Sequence, residues 1–278
     1  KASWLDSWVF RAAYNHSITR PTLEQMAPGV TYTTTRQGGD LRARIGNAQL
    51  LPFEAKNIDL AIEHYYQENS YISAGYFRKT VDNFIVNESS TQTFNNVTDP
   101  STGTDPNAVD DADALAQFSV ISPSNGESAT VEGVEVAVQH LFGESGWGIQ
   151  ANASFVDSNA ELDTANIRST FALTGLSGAK NMVLFYEKNA LQWRVAWNQR
   201  EGFLQSLNQT QSTEPTFVSP YKQWDMSLSY QFSPRVSVFF EGINITNETV
   251  HKRGRFSNHL LLVQDAGARY ALGVNITY

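Results

Sequence analysis

Cysteine is absent from the 278 residues. That excludes a disulfide framework and any thiolate-bound metal, and it is compatible with an oxidising envelope. No run of about 18 apolar residues occurs either, so no transmembrane helix is expected. Basic residues are in the minority, 20 Lys and Arg against 28 Asp and Glu, for a formal charge of -8. An acidic chain lacks the footprint that nucleic acid requires, and no nucleic-acid partner is expected. Glycine-rich nucleotide loops, serine elbows and metalloprotease helices are missing, so nothing points to an enzyme and no cofactor is expected. The opening Lys1-Ala2-Ser3-Trp4 has no signal-peptide character; an export signal is expected upstream.

What the chain does have is aromatics: 16 Phe, 11 Tyr and 6 Trp, 12% of the residues. Mean hydropathy is nevertheless only -0.34. Both follow if alternate residues face lipid and water. The last nine residues show this most clearly. Tyr270, Leu272, Val274, Ile276 and Tyr278 alternate with Ala271, Gly273, Asn275 and Thr277, the period-2 pattern of a strand between two environments.

The same alternation recurs upstream. Trp8, Phe10, Ala12 and Tyr14 oppose Arg11 and Asn15, and Ile58, Leu60 and Ile62 oppose Asn57, Asp59 and Glu63. Val134, Val136 and Val138 oppose Glu135 and Gln139, and Trp147, Ile149 and Phe155 oppose Gln150, Asn152 and Ser154. Leu191, Trp193, Val195 and Trp197 oppose Gln192, Arg194, Asn198 and Arg200, while Trp224, Met226, Leu228, Tyr230 and Phe232 oppose Gln223, Asp225, Ser227 and Ser229. Less regular strands are read over Tyr71 to Ile85, Met182 to Tyr186 and Val236 to Ile245. With the last strand, about ten are expected.

Connections alternate in length. Gln67-Glu68-Asn69, Gly143-Glu144-Ser145-Gly146, Lys188-Asn189 and Ser233-Pro234 are short turns, rich in turn formers. Between them lie long connections near 18–56, 86–130, 159–179, 205–220 and 247–268. Short turns on one side and long loops on the other are the pattern of an outer-membrane barrel, with the C-terminus periplasmic. A soluble β sandwich or solenoid is the plain alternative. Trp8 with Tyr14, Trp147 with Phe155, and Trp224 with Phe232 bracket their apolar stripes as interfacial girdles do, which favours the barrel.

Several segments resemble the C-terminal half of a TonB-dependent outer-membrane receptor. They include Arg11 through Arg20-Pro21, Gly46-Asn47-Ala48-Gln49-Leu50 with Pro52, Phe77-Arg78-Lys79 with Asn83-Phe84-Ile85, and Val131-Glu132-Gly133-Val134-Glu135. Tyr186-Glu187, Arg194 through Arg200, Asp225 through Tyr230, and Gly242-Ile243-Asn244-Ile245-Thr246-Asn247-Glu248 fit as well. Ala48 stands where the family usually has Pro, and Tyr278 where Phe is commoner. The subtype resembles the receptors of Xanthomonas and Caulobacter type, many of which import oligosaccharides.

The resemblance implies an all-β transmembrane antiparallel barrel of about 22 strands around a plug. Residues 1–278 are then expected to be its C-terminal portion, about the last ten strands, with plug and first strands missing. It implies active import of a bulky, scarce solute across the outer membrane of a Gram-negative bacterium, with an oligosaccharide expected first. A ferric-siderophore receptor of the same family is the alternative. A passive porin or secretion barrel is another, and a soluble sugar-binding or adhesin β protein is an alternative of a different class. Implied partners are the TonB energy-transducing complex through the missing plug, the barrel-assembly machinery that reads the terminal aromatic, lipopolysaccharide and membrane lipid, and a surface lipoprotein.

Candidate binding residues fall in two places. Arg194, Asn198 and Arg200 share one parity of a strand and Asp225 lies on its neighbour; in a plugged barrel such groups bond to the plug or touch solute. The loops offer Tyr32, Phe94, Phe118, Phe217 and Phe256 as sugar platforms. His251, Lys252, Arg253, Arg255 and His259 make the last long loop basic, suited to an anionic solute or lipopolysaccharide phosphates. Asp99, Asp105, Asp110, Asp111 and Asp113 crowd one loop without the spacing of a calcium site. They read as solvated, and no metal is expected there or at His16, His64 and His140. The triplets Asn244-Ile245-Thr246 and Asn275-Ile276-Thr277 are read as strand residues, not glycosylation sites.

Overall fold

The computed structural model describes residues 7–32, 41–99, 102, 104, 113–165, 172–207 and 214–277. The elements in order are β1 (Trp8–Thr19), α1 (Leu23–Met26), β2 (Val30–Tyr32), β3 (Leu41–Ile45), β4 (Phe53–Gln67), β5 (Ser70–Asp82) and β6 (Ile85–Thr98). There follow β7 (Leu115–Asn125), β8 (Ala129–Leu141), β9 (Trp147–Ser158), β10 (Ala179–Lys188), β11 (Leu191–Arg200) and β12 (Phe203–Ser206). The last are β13 (Thr216–Val218), β14 (Tyr221–Ser233), β15 (Val236–Ile243), β16 (Val250–Arg253), β17 (Leu260–Gln264) and β18 (Arg269–Ile276).

The chain divides into two compact units. The larger comprises Lys1–Asn15, Lys56–Thr80 and Ala129–Tyr278. Its main feature is a ten-stranded sheet in the order β1-β4-β5-β8-β9-β10-β11-β14-β15-β18, beside a four-stranded sheet β12-β13-β16-β17. The ten members of the large sheet are the ten strands read from the alternation. Each short turn closes a hairpin with chemistry suited to it. Asn69 (φ 56) and Asn189 (φ 58) take the left-handed conformation, which asparagine tolerates better than most residues.

Cross-strand partners share a face. Trp147, Tyr186, Trp193 and Leu228 are successive partners in one row, and Asn152, Asn181, Asn198 and Gln223 in another. One face is therefore a continuous apolar band and the other is polar. Apart from Ala129 at the start of β8, the buried apolar residues lie outside this sheet. Its large apolar side chains, Val134, Val136, Leu228, Leu272 and Val274 among them, are exposed. A sandwich would cover them with a second apolar layer; lipid is the solvent that accepts them uncovered.

Aromatic rings collect at the short-turn end of this band. Trp8 stacks on His64 at 4.1 Å, Tyr66 on His140 at 5.7 Å, and Trp147 contacts Tyr186 and Trp193 at 5.1 and 5.6 Å. Trp197 and Trp224, 6.3 Å apart, lie toward the opposite end. On the polar face, two glycines give room to a neighbouring ring. A Cβ at Gly148 would collide with Phe185, and one at Gly273 with Phe239, so each phenyl lies over bare backbone of the next strand.

The smaller unit, His16–Ala55 with Val81–Ser128, holds the sheet β2-β3-β7-β6. Here β3 and β7 run parallel, and β6 and β7 form a long antiparallel hairpin. The segments 18–56 and 86–130, read as long connections, thus contain strands of their own. Alternation did not reveal them because β6, rich in Ser, Thr and Asn, has no apolar face. The strand expected through Ile85 also breaks earlier, at Asn83 (φ 59).

The unit's core is Ala43, Ala116, Phe118 and Val120, with Leu41, Ile45, Phe94 and Val97 packed on it. After Arg20-Pro21, Thr22 and Gln25 form a reciprocal capping box on α1. Asn47 joins three segments of the unit: its N–H donates to the Gln25 carbonyl at 2.7 Å, its amide to the Pro123 carbonyl at 3.1 Å, and its Oδ1 accepts from Gln49 N–H.

Candidate functional site

The polar face of the large sheet is built by alternation alone. Along β11, Gln192, Arg194, Asn198 and Arg200 are exposed, whereas Leu191, Trp193, Val195 and Trp197 are half-buried by their neighbours. Arg194 stands between Phe185 and Ser227, and Asn198 between Asn181 and Gln223. Amides pair across strands, Asn181 to Asn152 at 2.8 Å and Gln150 to Gln139 at 3.0 Å.

Arg200 is engaged within the chain. Its guanidinium lies 3.8 Å over the Phe203 ring and donates to the Gly175 carbonyl at 3.1 Å. It fastens the connection after β9 to the start of β12.

Asp225 also has local partners. Its Oδ1 accepts from the Gln223 amide at 2.6 Å and from the Asn244 N–H at 2.8 Å. Asn244 is 3% exposed and left-handed (φ 53), and its side chain exchanges two hydrogen bonds with the backbone of Glu248. The Asn244-Ile245-Thr246 triplet is therefore a turn after β15, where a strand was expected. The buried amide locks that turn, so glycosylation there is not supported. The sequence had flagged this segment through its resemblance, its Asn-x-Thr triplet and the strand read over Val236 to Ile245, and not as a buried turn; an isolated Asn carries no burial signal.

In the loop sheet, Arg253 and Phe217 are cross-strand partners, with the guanidinium 4.5 Å over the ring. Arg255 is 5% exposed. It donates to the carbonyls of Asp163 and Thr164 at 3.3 and 3.2 Å, and its own N–H is bound by the Glu214 carboxylate. Glu214 also lies 3.1 Å from Nδ1 of His259. The Arg255 N–H above all, then His259, holds the Glu214 carboxyl below the usual carboxylate range. Of the residues expected to make this loop a basic surface, Arg255 is thus an internal tie, and its half-buried partner Glu214 was not legible in advance.

The aromatic candidates separate likewise. Phe256 is 61% exposed, as a platform must be. Phe118 is buried in the core of the smaller unit and cannot present a face. Tyr32, half-exposed, touches it edge-on at 5.7 Å, and Phe94 packs on it at 5.2 Å. These two candidate sets sit in different units. In β18, Tyr270, Leu272, Val274 and Ile276 pair with Gly242, Phe240, Val238 and Val236, in the apolar row of β15. Tyr278 and the acidic-loop residues Asp105, Asp110 and Asp111 lie outside the described residues. Among the described residues, no three His, Asp or Glu side chains come together as a metal site would require.

Residues 2–245 match the family profile described as "TonB dependent receptor-like, beta-barrel". The chain belongs to the TonB-dependent receptor β-barrel family. Solved structures agree on the fold of this TonB-dependent receptor barrel segment. The siderophore receptor PirA from Acinetobacter baumannii is 17% identical with a TM-score of 0.63, over 98% of this chain and 39% of that one. A mutant of the ferric enterobactin receptor from Pseudomonas aeruginosa, in complex with enterobactin, is 15% identical with a TM-score of 0.64, over 97% and 38%. The copper transporter OprC is 10% identical with a TM-score of 0.57, over 98% and 37%. The chain spans about two fifths of the length of these receptors. No curated protein matches it. Membership places the TonB-dependent receptor segment in the outer membrane of a Gram-negative bacterium, which sets aside the soluble sugar-binding or adhesin alternative.

Proposed function

We propose that this chain forms part of an outer-membrane receptor that imports a bulky oligosaccharide with energy from the TonB system. One observation carries the choice of solute. The polar face is lined mainly by neutral amides and hydroxyls, among them Asn152, Asn181, Asn198, Gln223 and Ser227, groups that bond to sugar hydroxyls. Three of the arginines that would suit an anionic iron chelate have partners within the chain: Arg200 on Phe203 and the Gly175 carbonyl, Arg253 on Phe217, and Arg255 on loop carbonyls.

In this reading, Arg194 hydrogen-bonds the plug, Asn198 meets the sugar hydroxyls, and Phe256 and Tyr32 offer ring faces to the incoming sugar. Phe217 and Arg253 stiffen the loop that carries Phe256. The plug carries the contact with the energy transducer. The barrel-assembly machinery and a surface lipoprotein complete the partners. A ferric-siderophore receptor is the second reading, since PirA and the enterobactin receptor are receptors of that kind.

Growth of a deletion strain separates the two. Loss of growth on defined oligosaccharides, restored by the full-length gene, supports the proposal. Normal growth on every sugar together with failure under iron limitation reverses it.

A further inference from the structure

The small sheet β12-β13-β16-β17 repeats the end of the large one, β11-β14-β15-β18, strand for strand. β12 follows β11 after Glu201-Gly202, and β13 leads into β14 through Ser219-Pro220. β16 follows β15, and β17 leads into β18 across Asp265 to Ala268. The small sheet therefore carries the wall onward at the long-loop end. β17 and β18 stand on the same edge of that wall.

The two edges of the small sheet differ. At β12, the Leu204 carbonyl accepts from the Gly175 N–H at 2.8 Å, and Leu204 is buried. At β17, β16 is the only neighbouring strand among the described residues. Leu260, Leu261, Leu262 and Val263 are 59%, 42%, 42% and 50% exposed. No charge or proline interrupts them, although these are the usual guards of a strand edge. Lipid does not account for the run, because a lipid-facing strand is apolar on alternate residues only. An apolar strand open along one side of its backbone is instead suited to take up a further strand.

We propose that the occupant of this edge is the outward end of the strand that closes the full-length receptor's own barrel. A closed barrel has no free edge, so β18 must be paired there. That closure is common to every barrel; the inference concerns what lies beyond it. The chain spans about two fifths of the related receptors, and the closing strand belongs to the remainder. Rising about 4.8 Å from β18, it reaches β17 already at ladder distance. It continues along the five residues of β17, hydrogen-bonds their open side and covers Leu260 to Val263 with apolar side chains. A second copy or a separate protein would have to displace it from that place. The last long loop is then a fixed part of the wall, sealed at its seam, and does not fold over a solute. The inference rests on family membership and not on which solute is imported, so its test and the growth assay fail separately.

The test uses the full-length receptor as a monomer in detergent. Hydrogen exchange resolved to single amides should show every N–H from Leu261 to Val263 slowed on the order of a hundredfold against an open strand edge. Val263→Cys, combined in turn with single cysteines along the outer end of the closing strand, should form a disulfide within the monomer. Should Val263→Cys fail to assemble, Leu261→Cys takes its place, and exchange of the wild type needs no variant. Fast exchange of alternate β17 amides in the wild-type monomer overturns the proposal. So does protection that appears only in a dimer or on adding another outer-membrane protein. Failure to cross-link at every position, or cross-linking only to another part of the receptor, overturns it as well.

Discussion

The guanidinium of Arg255 donates to the Thr164 carbonyl at 3.2 Å, joining residues 91 apart in sequence. Its backbone N–H is held at the same time by Glu214. One buried side chain thereby ties the connection after β9 to the loop after β16. Arg255→Ala leaves those carbonyls without their donor, at about 1–3 kcal/mol for a buried unsatisfied group. Hydrogen exchange of the full-length receptor should show faster exchange across 159–165, with the ten-stranded sheet unchanged.

The same cluster has a pH dependence of known sign. The Glu214 carboxyl is held below its ordinary value, chiefly by the Arg255 N–H. Its contribution is therefore fully present above the ordinary carboxylate range, and it is lost as pH falls through the depressed value. Loop protection should hold from neutrality down to that range and then weaken progressively as the pH falls through the depressed value. Glu214→Gln should flatten the acid limb, which hydrogen exchange across a pH series would register.

Gly148 and Gly273 accommodate the rings of Phe185 and Phe239 on the polar face. A Cβ at either position displaces the ring or separates the strands. Gly148→Ala is expected to cost about 1–3 kcal/mol, the usual penalty of overpacking. Adding Phe185→Ala should recover part of the loss, a coupling that a double-mutant cycle on thermal unfolding of the full-length receptor would measure.

The facing of β18 is the proposal most open to direct attack. With Val274 on the lipid side, Val274→Arg should cost about 2–4 kcal/mol near the midplane, and Asn275→Arg much less. Outer-membrane levels of the full-length protein should fall for the first and hold for the second. Equal levels would refute the facing. Removal of Tyr278 should reduce assembly if the terminal aromatic is read by the folding machinery.

Ten strands were legible because each must separate lipid from a polar interior, which writes period 2 directly into Trp193, Val195 and Trp197 against Arg194 and Asn198. The loop strands β6, β7, β12, β13, β16 and β17 were not. In β6, Ser, Thr and Asn serve on both parities and no alternation results. Strands β12, β13, β16 and β17 are only three to five residues long, too short for a period to register. β7 does alternate, Ala116, Phe118 and Val120 against Gln117 and Ser119, but over a stretch that reads as loop. The candidate site was legible in kind and less so in detail. A charged residue in a long loop reads as solvated, yet Arg255 is buried by carbonyls contributed from far along the chain. Phe118 reads as an available ring, yet it is the centre of a small core. Asp225 has the expected parity, but its partner Asn244 lies beyond a strand and carries no local mark.

Uptake of a labelled oligosaccharide by the deletion strain carrying the full-length gene tests the central claim most directly. The account predicts accumulation against the gradient that stops when an uncoupler collapses the proton-motive force. It also predicts sharply lower accumulation for an Asn198→Ala, Phe256→Ala double variant present at normal outer-membrane levels. Uptake indifferent to the uncoupler, or no sugar uptake alongside energy-dependent accumulation of a ferric chelate, would contradict it.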